Sequence, residues 1–179
     1  MSMIEHPSPH RNGSPPSLAT AEEFKRGMRK LAGGVNVITV RDGGQAHGMT
    51  ATAVCSLSAD PPQLLVCVNS TASPHGPIMR AGAFGVNVLG HDQEDIARRF
   101  AGMDGCERAQ RFSIGRWTTQ ATGAPLLEDA LSAFDCQVVQ EISAPTHTIF
   151  IGRVVAVMTK GGGAPLIFHE SRFTGIEPK

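Results

Sequence analysis

Runs of apolar residues and of alternating apolar and polar residues fill the chain from residue 35 onward and predict a β-rich fold. The predicted strands cover 35–40, 48–58, 63–69, 84–89, 131–142, 147–159 and 165–169. The segment 63–69 (QLLVCVN) is almost wholly apolar, which predicts a central, buried strand. Asp42-Gly43-Gly44 predicts a hairpin turn, and Asp60-Pro61-Pro62 predicts a rigid break between strands.

Helices are predicted at a few places between or before the strands. The first begins at Thr20, because Thr20 and Glu23 have the spacing of a capping box. Its predicted apolar stripe consists of Phe24, Met28 and Leu31. Further helices are predicted at 78–81 and 91–100. Frequent strands with short links exclude a regular βαβ alternation, so the pattern favours an antiparallel barrel with peripheral helices.

The length and composition limit the class of protein. A chain of 179 residues with 41% hydrophobic residues is expected to form one domain. We predict a disordered, proline- and serine-rich tail at 1–18 and a single folded domain at 19–179. The formal net charge of +0 argues against a nucleic-acid partner and against a polybasic membrane anchor. No apolar run approaches the roughly 18 residues of a membrane span, and the first residues lack the pattern of a signal peptide.

The cysteines and the missing motifs narrow the chemistry. The four cysteines form no CxxC pair, which favours reduced thiols and a cytoplasmic location. No Rossmann, P-loop, GxSxG or HExxH motif is present. The histidines from His47 onward are never three or four residues apart, so we expect no metal site.

Two polar segments stand where apolar strand residues would be expected. In 48–58 (GMTATAVCSLS) small side chains would let the backbone approach a flat ligand, while hydroxyl groups supply hydrogen bonds. Segment 69–73 (NSTAS) follows a buried strand and could form an anion nest for a phosphate. An ordinary strand with one solvated face and an ordinary surface loop are the alternatives. Together the two segments suggest a pocket for a planar, phosphorylated ligand.

Seven segments carry a family resemblance. They are GVNVIT (34–39), GMTATAVCSLSADPP (48–62), LLVCVN (64–69), FGVNVL (84–89), ARRFAGMDG (97–105), THTIFIGRVV (146–155) and PLIFHESRF (165–173). In this order they resemble the flavin reductase-like family. The implied fold is the FMN-binding split barrel, a mainly β, antiparallel Greek-key split β-barrel with peripheral helices.

The resemblance implies an activity and its partners. It points to the reductase components of two-component flavin-dependent monooxygenases. Such an enzyme uses NADH or NADPH to reduce FMN or FAD, and the reduced flavin diffuses to a partner oxygenase. A homodimer is also implied, with each flavin site near the subunit interface.

The resemblance also implies site residues. The flavin ring edge would follow Gly48, Met49, Thr50 and Ala51, and the other flavin contacts would come from Thr52, Ala53, Cys67, Val68, Asn69, Ser73, Arg99 and Phe100. His147 would act in catalysis on the nicotinamide side, together with His169, Arg172 and Phe173. Many members carry Tyr at the position of His169 or Phe173, and Arg or Lys near Ser70.

Three other functions remain open from the sequence. One is an enzyme that resembles pyridoxamine-phosphate oxidase on the same barrel. Another is a flavin- or haem-binding module without reductase activity. The last is a subunit whose barrel only docks on an oxygenase.

Overall fold

The structure, a computed structural model, describes residues 18–176 as twelve strands, three α-helices and one 3-10 helix. The strands are β1 (Gly33–Gly34), β2 (Asn36–Asp42), β3 (Gln45–Ala51), β4 (Val54–Ala59), β5 (Pro62–Asn69), β6 (Ala83–Val88), β7 (Trp117–Thr119), β8 (Pro125–Leu127), β9 (Ser132–Ser143), β10 (His147–Thr159), β11 (Leu166–His169) and β12 (Arg172–Gly175). The helices are α1 (Ala21–Met28), α2 (His75–Ala81), α3 (Glu94–Ala101) and the 3-10 helix Arg108–Ser113.

Seven strands form the main antiparallel sheet, in the order β3-β2-β6-β9-β10-β5-β4. The two edge strands, β3 and β4, follow one another in the chain and are joined only by Thr52 and Ala53. A second sheet contains β1, β11 and β12, and β7 pairs with β8. This architecture confirms the predicted mainly β, antiparallel split barrel with peripheral helices.

β2 is packed on both of its faces, which explains why its residues 36–40 are all buried. Ile38 lies in one apolar cluster inside the barrel, together with Phe84 and Phe150. Its neighbour Val37 lies in a second cluster, which contains Phe100 of α3. Successive side chains of a strand point to opposite faces, so a strand buried on both faces appears as an unbroken apolar run.

Three strand predictions need correction. The segment 48–58 forms two strands, β3 and β4, because the chain bends at Thr52 and Ala53. The segment 63–69 is not central: β5 lies next to the edge, and its side chains alternate between buried and half-buried. The central strand is β9, and its neighbour β6 is almost wholly buried. The strand 165–169 continues into a hairpin with β12, which the sequence analysis missed.

The capping box of the first helix is present, but its apolar stripe is not in the core. The Glu23 amide donates to Thr20 Oγ1 (3.2 Å), and the Thr20 amide donates to the Glu23 carboxylate (2.9 Å). Phe24, Met28 and Leu31 are 63%, 46% and 65% exposed. The predicted tail at 1–18 lies, apart from Leu18, outside the described residues. None of the helices within 18–176 has the length and apolar content to cross a membrane.

Cys136 offers a direct check of the barrel interior. Its side chain is fully buried, and burial raises the pKa of its thiol to about 12. Only the thiolate reacts with alkylating agents, and a raised pKa keeps the group protonated at every pH below that value. We therefore expect iodoacetamide at pH 8 to label the exposed Cys55 in the native protein, whereas Cys136 reacts only after denaturation. Peptide mass spectrometry measures both, and rapid native labelling of Cys136 would contradict the buried position.

Candidate functional site

The bend at Thr52 and Ala53 joins the two edges of the main sheet, and β3 presents unpaired backbone groups along its free side. The Gly48 carbonyl accepts hydrogen bonds from Arg111 (2.9 Å) and Ser73 (3.5 Å), so it points away from β2. In an antiparallel strand every second residue directs both of its backbone groups to the same side. Thr50 therefore also presents its N–H and C=O to the free edge.

A cavity of about 720 Å³ opens at this bend. Three parts of the chain line it: α1 with the residues that follow it, the bend itself, and the hairpin between β11 and β12. Its volume lies within the roughly 300–1,000 Å³ of small-molecule sites. The predicted site residues on its wall are Thr52, Ala53 and His169.

The apolar stripe of α1 forms part of the wall of this cavity. Phe24, Met28 and Leu31 all line it, and no residue of α1 is buried. The helical spacing was visible in the sequence, but the sequence could not tell a stripe that faces a core from one that faces a cavity. Lys25 and Arg29 add positive charge to the same wall.

The hairpin tip opposite α1 has an unusual backbone. Glu170 and Ser171 both have positive φ, at 49° and 61°, a conformation that side-chain-bearing residues rarely adopt. The Glu170 amide donates to the Arg29 carbonyl (3.0 Å), and its carboxylate forms an ion pair with Lys30. This hydrogen bond from Lys30 lowers the pKa of Glu170. The hairpin is thus fixed against the end of α1, and together they form two walls of the cavity.

A second cavity of about 200 Å³ shares Thr52 and Phe168 with the first. The predicted residues Thr50, Ala51 and Phe173 also line it. The Phe173 ring lies 5.1 Å from that of Phe168, centroid to centroid, and the Arg98 guanidinium lies 5.4 Å from its centroid. The Thr50 hydroxyl donates to the Ala97 carbonyl (2.7 Å), so it ties β3 to α3, and only its backbone is free for a ligand.

A third cavity, of about 280 Å³, lies farther along β3. Gly48 and Ser73 line it, together with Arg108 and Arg111 of the 3-10 helix. The sequence analysis gave no role to either arginine and predicted no strand or helix within 101–120. The sequence gave little indication of their role, because Arg108 and Arg111 are far along the chain from Gly48 and Ser73, which share the cavity with them.

The predicted α3 residues lie behind the site rather than on a cavity wall. Phe100 is 1% exposed and packs on Phe112 and Trp117, with ring centroids 5.0 and 5.5 Å away. Arg99 forms an ion pair with Asp104, and that hydrogen bond raises the pKa of Arg99. The structure therefore places Phe100 in the core beneath Gly48 and uses Arg99 to hold the loop after α3.

The remaining predicted residues lie apart from the large cavity. Val68 is fully buried in the barrel, whereas Cys67 points to its outer face. Asn69 uses its side-chain oxygen to accept from the Thr71 amide and hydroxyl, both at 2.8 Å. His147 pairs with Asn69 across β10 and β5, and its Nδ1 lies 2.9 Å from the Thr146 hydroxyl.

Arg172 and Met49 are the last two of the predicted site residues. Arg172 pairs with His169 in the β11–β12 hairpin and is exposed. Met49 is half-buried and packs against the cluster inside the barrel. Within residues 18–176 no group of three or more His, Cys, Asp or Glu side chains is placed to hold a metal ion.

Comparison with known proteins adds to this geometry. Residues 28–177 match the family described as "Flavin reductase like domain". The chain is 38% identical over 165 residues to the FMN reductase (NADH) RutF of Variovorax paradoxus, covering 92% of this chain and 90% of that protein.

Two solved structures are similar along their whole length. BorF, the flavin reductase component of a bacterial two-component tryptophan halogenase, has a TM-score of 0.81 at 34% identity, covering 89% of this chain and 100% of that one. The NADH:FAD oxidoreductase SgcE6 of Streptomyces globisporus, in complex with NAD and FAD fragments, has a TM-score of 0.81 at 29% identity, covering 91% and 98%.

Proposed function

Because this chain belongs to the flavin reductase-like family, we propose that it is an NADH-dependent flavin reductase whose ring site is the bend between β3 and β4. The observation that carries the proposal is the position of that bend. It places backbone groups of a sheet edge between two cavities that share Thr52 and Phe168 in their walls. Small residues of the bend line one side of this space, and apolar side chains line the other. A flat ring with a hydrogen-bonding edge fits such a slot.

The two substrates supply the chemistry themselves: a hydride passes from nicotinamide C4 to flavin N5. The chain has to bind, orient and shield them. Backbone groups of the bend are already held in place, so they bind the polar ring edge at little cost in reorganisation. The apolar residues of α1 exclude water from the ring faces. Lys25 and Arg29 face a cavity in which the reduced ring is negatively charged, which favours the product state.

The nicotinamide is proposed to enter from the β11–β12 hairpin. His169 and Phe173 lie on different cavities, on either side of Phe168, so both reach the space beside the bend. His147 stays a prediction: it lies at the far end of β10, beside Asn69, and would reach a ligand only where the phosphate-bearing part of the flavin or a second subunit approaches.

The test of activity is NADH and NADPH oxidation by the purified protein, followed at 340 nm, with and without FMN, FAD or riboflavin. We expect turnover that requires added flavin and saturates in it, with NADH preferred. Equilibrium dialysis should show that the flavin is released after reduction, as a substrate. Flavin retained tightly in both redox states, without turnover, would favour the alternative of a binding module.

We further propose a homodimer formed through the outer face of β4, β5, β10 and β9. Ile149 is paired with both Cys67 and Ile142, which gives one apolar row across three strands. Ile151, Leu65 and Cys55 give a second row. Ile142 is 42% exposed, and Cys55 is exposed as well. Apolar rows on an outer sheet face are typical of a surface that a second copy covers.

Replacing Ile142 by Asp is expected to convert a dimer into a monomer, because it places a charge at the β9 end of the first apolar row, next to Ile149. Size-exclusion chromatography with light scattering measures the mass. Met79→Asp is the matched control, because Met79 is 50% exposed on α2, which packs on β2 and β6 and not on the four strands of the proposed interface. A wild-type monomer, or equal effects of both substitutions, would contradict this interface.

The reduced flavin is proposed to leave and serve a separate flavin-dependent oxygenase. The likeness to BorF, the flavin reductase component of a two-component tryptophan halogenase, supports a role as one component of such a pair. A cytoplasmic location is part of the proposal, because all four cysteines are unpaired. Transfer by diffusion is tested by placing the purified reductase and a candidate oxygenase on opposite sides of a dialysis membrane that only the flavin can cross. Product formation only when the two proteins share one compartment would show that direct contact is required.

A further inference from the structure

The turn of the β11–β12 hairpin is built from residues that do not suit its geometry. His169 pairs with Arg172, so the turn consists of two residues, Glu170 and Ser171. Both have positive φ, as a type I′ turn requires. Asn and Gly adopt this conformation readily, whereas most other residues are strained in it. Such strain persists only where the surrounding structure holds the residue in place, and it is concentrated at functional sites.

The contacts of Glu170 connect this turn to the first helix. Its amide donates to the Arg29 carbonyl (3.0 Å), and its carboxylate forms an ion pair with Lys30. Within residues 18–176, both of the hydrogen bonds that leave the segment 18–31 go to Glu170. No residue of α1 is buried, so little apolar packing fixes the helix in place. The position of α1 therefore depends on Glu170.

The helix that Glu170 holds covers the cavity of about 720 Å³ beside the bend. Its apolar stripe lines that cavity, opposite the small residues of the bend. The chain joins the sheet only after α1, where Gly33 pairs with Phe168 of β11. A helix that is joined to the sheet at one end, buries no residue and covers a cavity has the properties of a lid.

We propose that Glu170 is a positioning residue that holds α1 closed over the bound flavin. This role rests on the proposed flavin-reducing function and adds to it the residue that closes the site. The carboxylate acts through Lys30 rather than on the reacting atoms. In the closed position the apolar side chains of α1 exclude water from the ring. The strained turn is retained because its first residue makes both contacts to the helix.

Glu170→Asn separates this role from a purely structural one. Asn adopts positive φ with less strain and retains the amide that donates to Arg29, but it removes the charge that pairs with Lys30. We therefore expect a melting temperature that is equal to that of the wild type or higher. A purely structural role of the carboxylate predicts the opposite, a lower melting temperature.

The opening of the lid is measured by hydrogen–deuterium exchange of the α1 amides, with and without FMN. A detached helix of eight residues is not stable in water, so opening exposes its amides to exchange. We expect exchange in Glu170→Asn to be about threefold faster, the size of effect that an exposed ion pair supports. The KM for FMN should rise by a similar factor at unchanged kcat, because the closed lid binds ground state and transition state alike.

Asp42→Asn is the matched control. It removes an ion pair of similar exposure, with Arg80, and neither of these residues lines the cavity. Exchange of α1 and the KM for FMN should both keep their wild-type values in this variant.

Reversal of the ion pair gives a second test. Glu170→Lys brings two cations together and should raise the exchange rate and the KM further, and Lys30→Glu in the same chain should restore both. Failure of the reversed pair to restore them would overturn the proposal. Unchanged exchange and KM in Glu170→Asn would overturn it as well. Faster exchange in Glu170→Asn, in a protein whose wild type oxidises no NADH, would defeat the reductase proposal and leave the lid standing.

Discussion

Replacing Phe100 by alanine is expected to lower the free energy of unfolding by about 3–5 kcal/mol. The ring is almost fully buried, packs edge-on against Phe112 and lies under Gly48, where an added Cβ would come within 2.6 Å of its Cε1. Truncation leaves a cavity that the surrounding strand and helix cannot fill. For a domain of this length the melting temperature should fall by roughly 10 °C or more. Urea denaturation and calorimetry measure the two quantities.

Phe24→Ala is the matched control for this result, because the same group is removed from a side chain that is 63% exposed. Its stability should change by about 0.5 kcal/mol or less. Phe100→Leu should retain most of the stability and the flavin affinity together. A Phe100→Ala protein that melts normally but no longer binds flavin would show that Phe100 contacts the ligand, as the family resemblance implied.

Replacing Ala53 by tryptophan is expected to reduce kcat/KM for flavin by about 100-fold while leaving the melting temperature unchanged. Ala53 is exposed and lies on the wall of the 720 Å³ cavity, so an indole there occupies the space proposed for the ring. The fold should keep its stability, because the Ala53 side chain is exposed and belongs to neither core cluster. The steady-state assay with FMN and NADH gives kcat/KM, and differential scanning fluorimetry gives the melting temperature.

Ala59→Trp is the control, since Ala59 is also exposed but lies at the far end of β4, away from the bend. It should leave both activity and stability near the wild-type values. If Ala53→Trp retained full turnover, the bend would not hold the ring, and the cavity would need another occupant.

The sequence predicted which residues form strands better than it predicted which strands lie side by side in the sheet. The apolar pattern identified β2, β6 and β10, because the apolar residues of these strands are the ones that the fold buries. It placed β5 at the centre of the sheet because its outward residues Leu65 and Cys67 are apolar as well. A single sequence does not show whether such residues face a core or a second copy of the chain. Both kinds of burial remove apolar surface from water, so both select apolar residues.

For the candidate site, too, the sequence predicted residues with a local signal and missed those that come from distant segments. Gly48, Thr50 and Thr52 were predicted from small, polar residues in a strand, a local signal. The α1 stripe was predicted without a partner surface, and Arg108 and Arg111 were missed. Those side chains reach the site through the fold of segments far apart in the chain, and a single sequence carries no record of such contacts.

The free edge of β3 has a consequence for how this protein changes over time. Main-chain groups are the same whatever side chain the residue carries, so the part of the pocket proposed to bind the ring would tolerate substitutions by other small residues. Selectivity would then evolve at the periphery, through the charges at Arg108 and Arg111 and the hairpin that carries His169. A barrel of this kind can exchange one flavin or one oxygenase for another without rebuilding its centre.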